Sequence, residues 1–379
     1  MHLLFLSLLI AFSALLSGRV WEGAFPPHGK QRMVMAALAF SLLDALLLLA
    51  LPWLKLSFGA VGLPLFIAII GRLAVTLIAN LVHRWHLKTG LGSWLALNAL
   101  MSAVIGYGLY VEPFALGVTA LELRAPSLRG GPVHPEAATV RIVHLTDLHI
   151  ERITRREREM LAQVAELEPD LLLLTGDYLN LDYLDDPQAR QDARAVLAEL
   201  ASLPVPYGIY AVNGTVDTPQ IMAELFDGLD IHVLDDAVAT VKLCQPGECP
   251  AAAAISIIGI SDRHNQAAAA TALDTLAAGM PTDSTRVLLY HTPDLIETAA
   301  QNGIALYLAG HTHGGQVRLP GYGALVTFSA YGKQYEMGRY QVSDTTLYVS
   351  RGLGMEGFGM PRARFLCPPE IVLIALKPP

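Results

Sequence analysis

The chain has 379 residues, a formal net charge of −8 at neutral pH and a 53% hydrophobic composition, with a mean hydropathy of +0.42; it is too apolar for an ordinary soluble enzyme and long enough for more than one structural unit. The imbalance is local: residues 1–120 hold seven Lys or Arg against three Asp or Glu, a net of +4, and the remainder holds 19 against 31, a net of −12. An acidic second part with no basic stripe would repel a phosphodiester backbone, so nucleic acid is not expected as a partner.

Four apolar stretches fill the first part, near Leu3–Leu16, Met33–Leu54, Ala60–Val82 and Leu91–Leu116, and about 20 helical residues span a hydrocarbon core. The first is short enough to suit an interfacial helix or a poor signal sequence instead. Asp44 and Arg72 fall near the middle of the second and third stretches, where antiparallel helices would bring them to similar depth as an ion pair. Arg19, Lys30 and Arg32 lie between the first two stretches, and Arg84 and Lys88 between the last two, against Lys55 alone in the middle loop. The positive-inside tendency makes the first and third loops cytoplasmic, so four crossings put the following domain outside the cytoplasm of a plasma-membrane protein. Arg124, Arg129 and Arg141 pull the other way.

The Gly- and Pro-rich segment Arg124–Pro135 reads as a linker. It divides the chain into a membrane domain at 1–120 with about four transmembrane helices, a linker at 121–138 and a second domain at 139–379. In that domain the predicted elements alternate: strand Val140–Leu145, helix Arg155–Leu167, strand Leu171–Leu174, helix Ala189–Leu203 and strand Tyr207–Val212. The runs Ser256–Ile260, Arg286–Tyr290 and Ile304–Leu308 continue as strands, with helices near Ala267–Ala278 and Pro293–Gln301. Short apolar runs bounded by turn residues suit strands buried in sheets covered by helices, an α/β class. Cys244 and Cys249 bracket the turn-like QPGE and suit either a small disulfide loop or two unlinked thiols, and Cys367 suits a packed thiol.

Short motifs follow several of these strands: DLH with Asp147 and His149, GDY with Asp177, YHTPD with His291, and GHTHGGQ with His311 and His313. Each alone is common, and a lone His is more often packed or solvated than a ligand. Together, carboxylates and imidazoles at successive strand ends are what two divalent metal ions need for phosphoester hydrolysis by a metal-activated water. Mn, Fe and Zn all suit such donors, and the sequence does not choose among them.

The motif order from Val140 to Leu376 resembles the calcineurin-like metallophosphoesterase superfamily. The tail containing LYVSRGLG and CPPEIVLIAL is similar to its membrane-associated branch of YkuE- and YaeI-type bacterial phosphoesterases. The resemblance implies a two-sheet β-sandwich flanked by helices, with the site on loops at the sheet ends. It implies that Asp147, His149 and His313 hold one metal, that His291 and His311 hold the second, and that Asp177 bridges them. Asp147, Asp177 and His311 would then act in catalysis through the metal-bound water.

One element departs from the pattern. The usual GNHD or GNHE appears as Gly214, Thr215, Val216 and Asp217, so Thr215 stands where a metal-binding Asn is expected and Val216 where a catalytic His is expected. Asn213, two residues before Thr215, or Asp217 could substitute as a ligand or support the site from behind. Loss of the imidazole removes a general acid, a contribution of roughly a hundred- to ten-thousand-fold for poor leaving groups. His264 in SDRHN is a substitute by loop type or a plain exposed His, and His144 reads as a core or supporting residue. Lys333 and Arg351, in Gly-flanked loops, could face a phosphate, or else Lys333 is simply solvated at the surface and Arg351 packed or ion-paired.

The sequence therefore points to a membrane-anchored phosphohydrolase for a phosphorylated small molecule or lipid, with a lipid-linked or envelope substrate favoured by tethering at the bilayer. Two alternatives are a catalytically weak metal-binding scaffold or sensor, suggested by the altered element, and a membrane transport or signalling protein centred on Asp44 and Arg72.

Overall fold

The computed structural model describes residues 2–20, 27–84, 91–124, 139–243, 254–280 and 284–377. Cys244, Cys249 and the Gly- and Pro-rich linker beyond Arg124 lie outside them. The chain divides into two compact units, residues 1–111 with 357–362, and residues 112–356 with 363–379.

The first unit is helical: α1 (His2–Val20), α2 (Pro27–Trp53), α3 (Gly62–Arg84) and α4 (Leu91–Tyr110). Three spans, Gln31–Trp53, Gly62–His83 and Leu91–Phe114, are long and apolar enough to cross a membrane, whereas the described apolar part of α1, Ser7–Val20, is shorter. The polarity is inverted relative to a soluble bundle. Leu42, Leu46, Leu49, Ile70, Ile78 and Leu100 point outward, while Ser41, Asp44, Arg72, Thr76 and Asn98 are buried, as lipid-facing helices require.

The Asp44–Arg72 pair forms as expected. Arg72 Nε and Nη2 each donate to an Asp44 oxygen at 2.6 Å, Nη1 reaches Asn98 at 3.1 Å, and Nη2 also reaches Ser102 Oγ at 2.7 Å. Phe40 lies under the guanidinium at 5.0 Å. Partners on two helices and an aromatic face satisfy charges that would otherwise be costly in apolar surroundings.

The second unit holds two six-stranded sheets. The first contains β1 (Gly117–Arg124), β2 (Val140–Leu145), β3 (Leu171–Leu174), β4 (Ile209–Ala211), β5 (His232–Val233) and β14 (Glu370–Lys377), ordered β1-β14-β2-β3-β4-β5. The second contains β6 (Ala237–Lys242), β7 (Ala254–Gly259), β8 (Thr285–Leu289), β9 (Leu306–Ala309), β12 (Gly338–Val342) and β13 (Thr345–Val349), ordered β12-β13-β9-β8-β7-β6. Between β9 and β12, β10 (Arg318–Leu319) and β11 (Gly323–Ala324) form a separate hairpin. Strands β2 to β5 are parallel, as are β7, β8, β9 and β13, while β14 on β2 and β6 on β7 are antiparallel.

Alternation along the strands fills three hydrophobic layers. In β3, Leu171 and Leu173 pack between the sheets with Ile142, Ile257, Leu289 and Leu308. Leu172 and Leu174 face the opposite way, against Met160, Val164, Ala193 and Leu197 of α5 (Arg155–Leu167) and α6 (Pro187–Ala201). On the far face of the second sheet, Ile258, Leu288 and Tyr307 pack with Leu273 of α8 (Gln266–Ala278) and Ile296 of α9 (Ile296–Gln301). A helix-covered sheet buried on both faces explains why the strands read as continuous apolar runs. This is the α/β architecture expected.

Two boundaries differ from expectation. The fourth apolar stretch does not run to Leu116; its helix ends at Tyr110, a short turn over Glu112–Phe114 follows, and Pro113 cannot donate a helical N–H. The domain boundary expected at residue 120 falls inside β1, which pairs in parallel with β14 from Gly117 to Arg124. Glu112 also accepts hydrogen bonds from the backbone of Leu366 (2.9 Å) and Cys367, so the second unit begins before the linker. A helix α7 (Pro219–Phe226), N-capped by Thr218, was not foreseen.

Candidate metal centre

The strands β2, β3, β4, β8, β9 and β13 all deliver loops at their C-terminal ends, the usual place for ligand sites in open α/β sheets. Asp147 and His149 follow β2, Asp177 follows β3, Thr215 follows β4, His291 follows β8, and His311 and His313 follow β9. Asp147, His149, His313 and their opposite numbers Asp177, His291, His311 form two groups whose donor atoms lie within 4.8 Å of one another. Five of these six residues have a positive φ: Asp147 51°, His149 41°, Asp177 56°, His311 69° and His313 50°. Such backbone costs about 1 kcal/mol or more per non-glycine residue, and it persists where the surroundings over-determine it.

Glycines permit the loops to press together. A Cβ on Gly214 would come within 2.2 Å of Asp177 Oδ1, and one on Gly310 within 2.2 Å of Asp147 Oδ2 and Thr146 Oγ1. Behind the ligands, Asp217 is a tie: its Oδ2 accepts from the N–H of Asp177 at 2.6 Å and of Gly214 at 2.8 Å, and its Oδ1 from Tyr178 at 3.1 Å. Burial first, then the nearby Asp177, pushes this carboxyl up to about 7.

Asp147, His149 and His291 are wholly buried, Asp177 and His313 nearly so, and His311 and Thr215 are partly open. His149 Nε2 and His313 Nε2 face each other at 3.0 Å, a separation two imidazole lone pairs tolerate only with a cation or proton between them; each ring's Nδ1 is buried without a hydrogen-bond partner. His291 Nδ1 meets the Thr175 carbonyl at 2.7 Å, which fixes the N–H there and frees Nε2. That Nε2 is 3.1 Å from Asp177 Oδ2. His313 Nε2 lies 3.4 Å from Asp147 Oδ1.

Burial disfavours charge on both His291 and Asp177, yet their mutual attraction wins. His291 is pushed up to about 10, and Asp177 is held below the ordinary carboxylate range. Burial and the neighbouring His149 hold His313 well below its usual value, and burial raises Asp147. Imidazoles with free nitrogens against buried carboxylates are the donor set that divalent Mn, Fe or Zn takes.

The remaining candidates separate clearly. Thr215 Oγ1 lies 3.2 Å from His311 Nδ1, at the second triad. Asn213 does not: its amide is consumed by the backbone of Asp262, accepting at 3.1 Å and donating at 2.8 Å. Arg351 is paired with Glu370 at 2.7 Å and contacts Thr119, and Lys333 donates to the Tyr322 carbonyl over that residue's ring. Both cations therefore have partners outside the ligand cluster, contrary to a phosphate-facing role. His264 is exposed, and His144 is buried with Nε2 2.7 Å from Thr175 Oγ1, bracing the turn that orients His291. Cys367 is a buried free thiol donating to the His313 carbonyl at 3.0 Å.

Sequence reasoning missed Glu356. It joins His149 and Asp177 in a third group within 4.8 Å, with Oε2 3.4 Å from His149 Nε2. Its only trace was position, two residues beyond the SRGLG segment.

Two opposed triads on the loops of a helix-covered double sheet define a metallophosphoesterase domain with a binuclear metal-binding site, preceded by membrane-spanning helices. Residues 140–315 match the calcineurin-like phosphoesterase family, and with the paired metal-binding groups this makes the domain a metal-dependent phosphohydrolase. It is 29% identical to the uncharacterized metallophosphoesterase YkuE of Bacillus subtilis (strain 168), over 78% of this chain and 97% of that one. It is also 29% identical to the phosphodiesterase YaeI of Escherichia coli (strain K12), over 63% and 83% respectively. The UDP-2,3-diacylglucosamine pyrophosphatase LpxG of Chlamydia trachomatis is 24% identical over 70% of this chain and 90% of its own.

Proposed function

We propose that this protein hydrolyses a phosphoester or pyrophosphate of a lipid-linked or envelope substrate, in the manner of the YkuE- and YaeI-like branch, with its catalytic domain outside the cytoplasm. Asp147, His149 and His313 would hold one divalent ion, His291, His311 and Thr215 would hold the second, and Asp177 would serve both. The observation that carries this assignment is the Nε2 of His291, oriented by the Thr175 carbonyl and 3.1 Å from Asp177 Oδ2, beside the facing pair His149 and His313. A pair of such ions supplies Lewis acidity and an activated water for attack at phosphorus.

The chain's own residues do the rest. Thr175 orients His291, Asp217 fixes the Asp177 loop, and the partly open His311 and Thr215 form the solvent side from which a substrate enters. The lipid-linked substrate is supported by the membrane spans, which tether the domain to a bilayer, and by the likeness to a relative named for a diacylated sugar nucleotide. The orientation is supported by the basic residues between the first two and the last two apolar stretches.

The test uses full-length protein in detergent, stripped of metal and reloaded with Mn. It is expected to cleave bis-p-nitrophenyl phosphate, to lose that activity in Asp177→Asn, and to prefer diacylated sugar nucleotides or phospholipids over free nucleotides. Two bound ions without hydrolysis of any of these would establish the scaffold alternative instead. A carboxy-terminal reporter active only in the cytoplasm would reverse the orientation.

A further inference from the structure

We propose that Glu356 is an additional ligand of the ion held by Asp147, His149 and His313, so that the centre is asymmetric: one carboxylate-rich, tightly held ion and one weaker ion on the Thr215 side. The inference rests on the binuclear reading and adds a ligand to it.

Its geometry is built, not incidental. Leu353 and Gly354 donate from their backbone to the carbonyl of Asp147 at 3.3 and 2.6 Å, and Asn180, itself wholly buried, donates to the Met355 carbonyl at 2.8 Å. Gly354 lies so close to the DLH loop that a Cβ there would sit 2.6 Å from His149 Cβ and 2.3 Å from the Leu148 carbonyl. The segment that ends in Glu356 is thus pinned to the same loop that carries Asp147 and His149. Glu356 Oε2 faces His149 Nε2 at 3.4 Å, the same spacing as His313 Nε2 to Asp147 Oδ1.

Charge argues in the same direction. Two divalent ions bring four positive charges, and Asp147 and Asp177 return only two negative ones, since the four imidazoles and Thr215 bind as neutral donors. A third carboxylate reduces the excess in a buried site where uncompensated charge is costly. Glu356 groups with His149 of the first triad and with Asp177, the carboxylate between the two, but with neither His291 nor His311, and the second triad has a hydroxyl in place of an amide ligand. Hard carboxylate donors raise affinity for Mn and Fe more than a neutral hydroxyl does.

The experiment is Mn titration of the metal-stripped full-length protein, followed by EPR of free Mn and by equilibrium dialysis, for wild type, Glu356→Gln and Glu356→Ala. Wild type is expected to bind two ions with separated affinities. Both variants should weaken the tighter ion by ~10- to 100-fold, the range seen when residues supporting a metal are removed, and leave the other nearly unchanged. Melting temperatures of the stripped proteins check that the variants fold, and Gln keeps the size of Glu. Unchanged affinities in a folded Glu356→Gln, or equal weakening of both ions, would overturn the ligand assignment. Fewer than two ions in wild type would instead overturn the binuclear reading itself.

Discussion

Asp217→Ala is expected to destabilise the metal-free protein before it affects any chemistry. The substitution removes the acceptors of three buried N–H groups, on Asp177, Gly214 and Tyr178. An unsatisfied buried donor costs about 1–3 kcal/mol, and water entering the vacated space recovers part of it, so the net loss is ~3–6 kcal/mol. In a domain of 150–250 residues each kcal/mol moves Tm by about 2–4 °C. Calorimetry of the chelator-treated full-length protein in detergent should therefore show a transition ~6–24 °C lower than wild type. Asp217→Asn should fall between, because its amide keeps one acceptor and turns a donor toward the others. The same variants should bind both ions more weakly, since the freed Asp177 loop carries the bridging carboxylate. A metal-free transition unmoved by Asp217→Ala, together with lost metal, would refute this and make Asp217 a ligand rather than a tie.

Restoring the absent element with Thr215→Asn and Val216→His should tighten the weaker ion. It should also raise turnover of alkyl phosphoesters by roughly 100-fold, with little change for nitrophenyl esters, whose leaving groups depart unprotonated; equal changes on both would count against the acid role. In the membrane unit, Asp44→Leu or Arg72→Leu alone should cost about 3–5 kcal/mol by stranding a buried charge, whereas the double change should recover most of it and leave hydrolysis intact; loss of hydrolysis in a folded double variant would tie the pair to function. Gly354→Ala, whose Cβ would collide with the Leu148 carbonyl, should selectively release the ion beside His149, as seen by Mn titration. His291, raised to about 10 in the metal-free protein, carries a proton at neutral pH that a metal must expel. Affinity should therefore rise by about tenfold per pH unit near neutrality and level off above pH 10, with about one proton released, counted by calorimetry in buffers of different ionisation enthalpy. The matching His291–Asp177 attraction stabilises the metal-free fold fully below the unfolded imidazole value of about 6.5, and is lost as pH rises through 10.

The strand ends were legible because the physics there is local. The run Leu171–Leu174 must be covered on both faces, and Gly176 and Asp177 follow at once. The same logic placed His311 and His313 after β9. What the sequence did not disclose depends on contacts between distant segments. β1 pairs with β14 across some 250 residues, and nothing in GVTALELR separates an edge strand from the tail of a membrane helix. Arg351 drew attention as a cation that could either face a phosphate or be packed and ion-paired, and Glu370, which pairs with it, is visible only once β14 is in place. Glu356 was overlooked for the same reason: a lone acidic residue in a glycine-rich loop has no meaning until Asn180 and Gly354 anchor that loop against the metal ligands.

The altered GTVD element shows how a site can lose a side chain and keep its architecture. Val216 is buried and has no acid to offer, yet its backbone N–H still donates to Asp177 Oδ1 at 3.0 Å, a contact that any residue with a free N–H can make. Thr215 likewise keeps an oxygen beside His311. Asp217 would be idle if its task were to orient a histidine, because none is present. Its three backbone hydrogen bonds give it an independent task, tying the GT turn to the GD turn, whose Gly176 and Asp177 both have positive φ, so that Asp177 Oδ2 faces His149 and His291. The element is therefore best understood as a brace for the bridging carboxylate. The element itself supplies the leaving group with no acid, a loss that weighs least on phosphoanhydrides and acidic phosphoesters and most on simple alkyl esters.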